Sequence, residues 1–314
     1  MLDPILIMFI TFIFASMLRV ATPILLAALG ECYVENAGIL NLGIEGIMLF
    51  SAFTSFLGAV AANSSLIGLL VGLGTGLLLG LILAVLYVTL KSDQIVVGIA
   101  FSLSAIGFTS LFFRLLYGTT LPKLPVKEWV VNIPELAAIP IIGRAFFNQP
   151  FLVYVSIALV PLFYYILYRT RFGLKVRTLG ENPMVADTAG VNVFLYRYIV
   201  MLIGGLLAGL GGAYLSLYQV SLFQDNLIQG RGYVAIAIVM FARWNPLKIL
   251  GGALLYGGAE AFAGAIQALG YLRTVPAEIV LMLPYIITIL GLVVLARRAR
   301  FPPAFARPYR REMK

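Results

Sequence analysis

The sequence of 314 residues contains no histidine and only one cysteine, Cys32. Without histidine the chain lacks imidazole zinc ligands, Ser-His and Cys-His nucleophile pairs, and the commonest general base near neutral pH. A single cysteine excludes an internal disulfide and any site built on several cysteines. Charged residues are also scarce, at 11% of the chain. We therefore expect no catalytic residues, no metal and no cofactor in this chain.

Apolar side chains, in contrast, are abundant. Hydrophobic residues make up 61% of the chain and its mean hydropathy is +1.01, whereas a soluble domain is roughly 45–50% apolar. Several apolar runs exceed about 18 residues, which is enough to cross a hydrocarbon core about 30 Å thick. Because open sheet edges cannot face lipid, the sequence predicts an all-α polytopic membrane protein with one transmembrane domain over residues 1–314.

The net charge of +9 is concentrated near the end of the chain, where seven of the 22 basic residues follow Leu295. A Lys/Arg excess beside a membrane segment marks its cytoplasmic side, and basic tails lie against an anionic inner leaflet. This placement argues against a nucleic-acid partner. It predicts a basic cytoplasmic tail over residues 297–314.

Counting the apolar runs gives eight or nine membrane segments. Tyr233–Ala242 is too short to cross alone, so it would be either extended or re-entrant. The proline-rich stretch 118–150 has nearly balanced charges, and we place it outside the cell. With nine crossings and the tail inside, the N-terminus would also be outside. The other predicted runs are Ile5–Leu29, Gly46–Ala62, Leu66–Leu90, Gln94–Tyr117, Phe151–Tyr168, Tyr196–Tyr218, Ile249–Ala268 and Val275–Ala296.

The stretch Gly30–Gly46 places three carboxylates among residues at membrane depth. Ionisable groups there cost at least about 2.5 kcal/mol by insertion scales and are functional candidates. Irregular backbone at that depth is tolerated only inside protein or beside a water-filled cavity. The structural alternative is that the carboxylates cap helices or pair with Arg19, Arg114 or Arg231. The three carboxylates are Glu31, Glu35 and Glu45.

Small residues recur at close helical spacing in two of the apolar runs. Leu66–Leu90 carries three glycines four residues apart, and Tyr196–Tyr218 carries five small residues. Small residues at this spacing let two helix backbones approach closely. We interpret both rows as packing faces rather than as ligand contacts. They are Gly72, Gly76 and Gly80 in the first run, and Gly204, Gly205, Ala208, Gly209 and Gly212 in the second.

A polar interruption, Arg169–Asn192, begins with four basic residues beside a membrane segment, which indicates the cytoplasmic side. Within it, Asn182 can cap a helix, Pro183 suits the first helical position, and Gly190 can adopt the left-handed conformation after the last turn. One or two helical turns fit between them. Such a helix is either a docking element or an ordinary surface helix, and the residues alone leave both possibilities open.

Three ordered stretches resemble the permeases of ABC importers, in the branch that handles simple sugars, branched-chain amino acids and nucleosides. Glu35–Gly46 resembles the early motif of nucleoside-type members, although Asn36 stands where a basic residue is common. Gly173–Asn192 is similar to the cytoplasmic coupling loop, which we place over 169–195, and Gly230–Pro246 matches a further stretch. The likeness is strongest to the shorter permease of nucleoside (guanosine or purine) uptake systems.

The resemblance implies a translocation subunit in the plasma (inner) membrane rather than an enzyme. ATP and Mg would be bound by a separate cytoplasmic ATPase, and this chain has no Gly-x-x-x-x-Gly-Lys-Ser/Thr motif of its own. Further partners would be a paralogous permease in a heterodimer, an extracytoplasmic substrate-binding lipoprotein and membrane lipid. The residues expected to couple to the ATPase are Gly180, Glu181, Asn182, Pro183, Met184, Ala186, Asp187, Thr188, Ala189 and Gly190, with Val185 adding to the apolar contact.

A nucleoside or sugar carries many hydroxyls and amides, so polar residues at membrane depth are candidates for its path. These are Asn41, Glu45, Gln94 and Gln229. The alternative is that such residues bond neighbouring helices to one another. Two other functions stay open at this point: a simple-sugar permease of the same family, and a self-sufficient secondary transporter. The latter would need internal repeats and an ion site at the midplane.

Overall fold

The computed structural model describes residues 4–118, 142–269 and 301–309, together with 122, 124, 129–132, 135, 139, 282, 284–287 and 289–291. Its helices are α1 (Pro4–Asn36), α2 (Ile44–Ala62), α3 (Ser65–Ala84), α4 (Gln94–Tyr117), α5 (Ile142–Phe147), α6 (Phe151–Arg169), α7 (Arg171–Glu181), α8 (Pro183–Thr188), α9 (Val193–Tyr214), α10 (Arg231–Phe241) and α11 (Pro246–Leu269). The π-helical turns Val85–Thr89 and Leu215–Gln219 extend α3 and α9. Strands β1 (Val130–Asn132) and β2 (Asn148–Pro150) pair antiparallel, with Val130 opposite Pro150.

Seven of the described helices are long and apolar enough to cross a membrane: α1, α2, α3, α4, α6, α9 and α11. The prediction of a mostly helical polytopic protein is confirmed to this extent. Most of Val275–Ala296 lies outside the described residues, as do 15 of the 33 residues of 118–150. The total of eight or nine segments therefore stays a prediction.

Helix α1 is longer than its apolar run predicts. We expected it to end near Leu29 and to give way to an irregular polar stretch, but it continues to Asn36. No residue between Gly30 and Asn36 breaks a helix, and α9 packs closely against this last part of α1. A methyl group on Gly30 would lie 3.0 Å from the Cα of Gly204. The irregular backbone is confined to residues 37–43, where Gly38 has φ of +82°.

Part of the second predicted row of small residues packs against the first, while Gly204 and Gly212 pack against α1 and α2. A methyl on Gly209 of α9 would lie 2.8 Å from the Cα of Gly76 on α3. A methyl on Gly80 would lie 2.8 Å from the carbonyl oxygen of Met201. Because backbone stands directly against backbone, only glycine fits at these positions. The interpretation of both rows as packing faces is confirmed.

Side-chain and backbone contacts show which segments lie together at each end of the bundle. Residues 301–309 lie beside α7 and beside the turn after α10, since Ala304 donates to the Gly180 carbonyl and Phe301 packs on Trp244. We call this the tail end. At the opposite end, β2 leads into α6, and Gln149 accepts a hydrogen bond from Arg19 of α1 at 2.9 Å. The two segments predicted to be cytoplasmic, the 169–195 loop and the tail, thus share one end as far as they are described.

Helix α10 is a half-helix of 11 residues. It begins beside Glu45 of α2 and ends at Phe241, just before Trp244 at the tail end. The irregular residues 220–230 connect it to α9, and within them Asp225 bonds to Arg114 near the end of α4 at 2.6 Å. This broken segment corresponds to the run that is too short to cross a membrane alone.

Candidate coupling surface and polar interior

Helix α8 has the ends that the sequence predicts. The Asn182 side-chain oxygen accepts hydrogen bonds from the backbone N–H groups of Met184 and Val185 at 3.1 and 3.2 Å. Pro183 occupies the first turn, and Gly190 follows the helix with φ of +82°. The predicted short capped helix is therefore present, over Pro183–Thr188.

The exposed face of α8 is small and partly apolar. Met184 and Val185 are 46% and 61% exposed, whereas Ala186 is 3% exposed and anchors the helix to its own chain. Gly180 is also buried, and Pro183 and Asp187 are half-buried. The remaining residues expected at an ATPase contact are exposed: Glu181, Asn182, Thr188, Ala189 and Gly190.

Helix α7 supports α8 and was not anticipated from the sequence. Its start is capped by Thr170, whose side-chain oxygen accepts from the N–H of Gly173 at 3.2 Å. Val176 and Leu179 of α7, three residues apart, are fully buried. The threonine cap and this spacing are signals that could have revealed the helix. The exposed face of α8 therefore stands on an ordered support.

Two of the basic residues around α7 are held by aromatic rings. The Lys175 ammonium donates to the Tyr196 hydroxyl at 3.0 Å. The Arg177 guanidinium lies 5.0 Å from the centre of the Tyr168 ring. Cation–π and hydrogen-bond contacts of this kind hold α7 against α6 and α9.

Glu45 acts as the N-terminal cap of α10. Its two carboxylate oxygens accept from the backbone N–H groups of Gly230 and Gly232 at 2.7 and 2.8 Å. A charged acceptor on the first N–H groups of a helix also stabilises the positive end of its dipole. The structural alternative for this carboxylate, helix capping, is confirmed.

Glu31 and Glu35 are fully buried near the end of α1. Glu35 accepts from the Trp244 indole N–H at 2.6 Å, and Glu31 accepts from the backbone N–H of Asn41 at 3.1 Å. Both carboxylates thus hold the chain together at the tail end. Trp244 is itself buried.

The proposed arginine partners of these carboxylates bond elsewhere. Arg19 donates to Gln149, and Arg114 pairs with Asp225. Arg231 pairs with Glu260 on α11 at 2.5 Å. Within the described residues, Glu31 and Glu35 therefore do not form the arginine pairs that the structural alternative allowed.

The four candidate solute-path residues do not form one cluster. Asn41 is buried within the 37–43 loop, and Gln94 is buried beside it, where its side-chain oxygen accepts from the Leu40 N–H at 2.8 Å. Glu45 is occupied by α10, and the neighbouring Gln229 is exposed. In the described part of the chain the Gln94 side-chain nitrogen has no hydrogen-bond partner. The buried amides thus lie at the 37–43 loop, whereas Glu45 and Gln229 lie at the α2–α10 contact.

The part of the chain that the structure describes holds no group of three or more potential metal ligands.

Residues 301–309 of the tail pack on the coupling loop, while six of its seven basic residues lie outside the described part of the chain. The placement of the basic tail against lipid therefore stays a prediction. The Tyr309 hydroxyl donates to the Asp187 carboxylate at 2.9 Å. A cavity of about 330 Å³ separates α8 from the tail. It is lined by Glu181, Asn182, Pro183, Met184, Pro303, Ala304, Arg307, Pro308 and Tyr309.

Comparison with known proteins places this architecture in a family. The family described as "Branched-chain amino acid transport system / permease component" matches residues 13–292. The chain is 36% identical over 297 residues to the guanosine ABC transporter permease protein NupQ of Bacillus subtilis, covering 92% of this chain and 93% of that protein. It is 32% identical over 299 residues to the nucleoside ABC transporter permease protein NupC of Lactococcus lactis, covering 93% and 94%.

A relative linked to a different solute is equally similar over a shorter stretch. The TsgC13 protein of Haloferax volcanii, provisionally named a glucose ABC transporter permease, is 36% identical over 251 residues. These residues cover 80% of this chain and 76% of that protein. The resemblance to nucleoside-type and sugar-type permeases is confirmed, and the comparisons leave both solute classes in view.

Proposed function

Because the chain belongs to the family of branched-chain amino acid transport permease components, we propose that it is the membrane-spanning subunit of an importer for a nucleoside or a related polar solute. The chain is a permease component of the ABC transporter class and a multi-pass protein of the plasma membrane. ATP would be hydrolysed by a separate cytoplasmic subunit. A second, paralogous permease and a substrate-binding lipoprotein would complete the system.

The observation that carries this proposal is the capped helix α8 with its two exposed apolar side chains. Met184 and Val185 project from a six-residue helix that is fixed by Asn182 and supported by α7. A small apolar surface on a rigid base suits a groove in a partner protein. Within the matched family region, this surface is where a motor subunit would attach.

Contacts on both sides of α8 also connect it to the transmembrane helices, so a movement of α8 could be passed on to them. A methyl on Gly180, just before α8, would collide with the carbonyl of Asn36 at the end of α1. After α8, Asn192 caps α9 by accepting from the Leu195 N–H at 3.0 Å. Since α1 and α9 pack on each other, a displacement of α8 would move both helices as one body, as in rigid-body switching.

The coupling role can be tested by capture of the cognate ATPase with the purified chain. Val185→Glu would place an unpaired carboxylate in the contact and should weaken binding roughly tenfold or more. Val185→Ile keeps the apolar surface and is the matched control. Equal binding by both variants, with unchanged thermal stability of the chain, would contradict the proposal.

The choice of solute requires a separate measurement. The two nucleoside-type relatives cover more than nine-tenths of this chain, which favours a nucleoside over a sugar. In cells that express the complete system, uptake of labelled guanosine should be competed by unlabelled nucleosides and not by glucose. The opposite pattern would assign the sugar alternative.

A further inference from the structure

The last described segment of the chain, residues 301–309, connects three parts of the tail end. Phe301 packs edge-on against Trp244 with ring centres 5.6 Å apart. In the middle, the Ala304 N–H donates to the Gly180 carbonyl at 2.9 Å. At its end, Tyr309 bonds to Asp187 of α8. The segment therefore runs from the turn after α10 to the coupling helix.

A buried arginine fixes this path. Arg197 of α9 is 1% exposed, and none of the described carboxylates pairs with it. Its guanidinium donates instead to the carbonyl oxygens of Ala37 and Arg307, at 3.2 and 3.5 Å. A buried guanidinium is costly unless its N–H groups are bonded. The tail backbone thus supplies an acceptor that Arg197 needs.

The fit of the tail is close as well as polar. A methyl on Gly38 would lie 3.0 Å from the carbonyl oxygen of Ala304, and Gly38 has φ of +82°. Pro302, Pro303 and Pro308 restrict the backbone of the segment, which lowers the entropy lost when it is ordered. Residues 301–309 are therefore a built part of the tail end rather than a loose extension.

We propose that residues 301–309 form the second wall of the ATPase-docking surface, opposite α8. This inference rests on the proposed function. The cavity between the two walls has Met184 on one side and Pro303 and Pro308 on the other. A protein that covers the exposed Met184 therefore also meets the tail.

The charges of the two walls favour a protein over a lipid surface. Glu181 stands on the α8 side and Arg307 on the tail side, and both are exposed. An anionic leaflet attracts surfaces of one positive sign, whereas a mixed pair can be matched by a partner with complementary charges. The occupant that fits the cavity is the cytoplasmic ATPase.

Photo-cross-linking from single cysteines tests this directly. Cys32, the one natural cysteine, is fully buried, so a maleimide benzophenone should label introduced exposed cysteines selectively. The probes are Arg307→Cys on the tail and Met184→Cys on α8, each in the full complex with its ATPase. Leu66→Cys, exposed at the opposite end of the bundle, is the control.

We expect both Arg307→Cys and Met184→Cys to capture the ATPase, and Leu66→Cys not to capture it. Capture from Met184→Cys alone, with Arg307→Cys reaching only lipid, a second permease or nothing, would overturn the tail inference and leave the proposed function standing. Failure of both probes would overturn the proposed function as well. ATPase retention in each labelled complex is measured beforehand, so that loss of assembly is not mistaken for distance.

Discussion

The α3–α9 contact and the α7–α8–tail surface are built in opposite ways. In the first, glycine backbones stand directly against each other within the membrane, without side chains that could rearrange. In the second, caps, single hydrogen bonds and a cavity of about 330 Å³ leave exposed side chains on an ordered base. The interior contact is thus rigid, whereas the surface leaves side chains that can adjust, and the proposed coupling to a partner would use both.

The largest effect should come from breaking the rigid side of this comparison. Gly76→Leu would push a side chain into the backbone of α9, where a methyl would already lie 2.7 Å from the Cα of Gly209. Overpacking against backbone that cannot move should cost about 3 kcal/mol. We expect a clear fall in melting temperature and in the yield of monodisperse protein.

Gly74→Leu is the matched control for that variant. Gly74 lies on the same helix as Gly76, but a methyl on Gly74 would meet no other atom within 4 Å. Similar melting temperatures for the two variants would show that the α3–α9 contact is looser than described.

A smaller effect should follow from loosening the surface side. Asn182→Ala removes the oxygen that caps Met184 and Val185, and the loss of such a cap costs about 1 kcal/mol. Because α8 is short, we expect it to fray and the affinity for the ATPase to fall roughly fivefold, with the melting temperature almost unchanged. Asn182→Asp retains a capping oxygen and should bind nearly as well as the natural chain. An equal loss in both variants would point to a direct contact of the Asn182 amide instead.

The smallest effect should come from the contact between the two walls. Tyr309→Phe keeps the ring but removes the hydroxyl that donates to Asp187, a partly buried bond worth about 0.5 kcal/mol. We expect roughly a twofold loss of ATPase affinity or of solute transported per ATP, measured in proteoliposomes. Tyr309→Leu also removes the packing on Phe194 and should do more. If Tyr309→Leu has no effect, the tail does not position α8.

Features that depend on neighbouring residues could be predicted from the sequence. The cap at Asn182 and the left-handed Gly190 involve contacts within a few positions, so local chemistry determines them. The glycine rows likewise follow helical spacing, and from Gly76 and Gly209 a close contact could be foreseen. The spacing alone does not predict that the row on α3 would pack against the row on α9, because those residues are far apart in the chain.

The missed features depend on residues far apart in the chain. Glu45 bonds to Gly230 across 185 positions, and Glu35 bonds to Trp244 across 209. A single sequence shows a buried carboxylate but not the donor that folding brings to it, so helix capping and pairing with an arginine both stayed open. The docking of Tyr309 on Asp187 joins residues 122 positions apart and was missed for the same reason.

The cap on α10 has a consequence for what can rest in the bundle interior. A helix that starts inside a membrane protein presents bare N–H groups and a positive dipole end, which together attract phosphate and other anions. Here the carboxylate of Glu45 already fills that position on Gly230 and Gly232. An anion that entered the bundle would therefore have to compete with Glu45 for the start of α10.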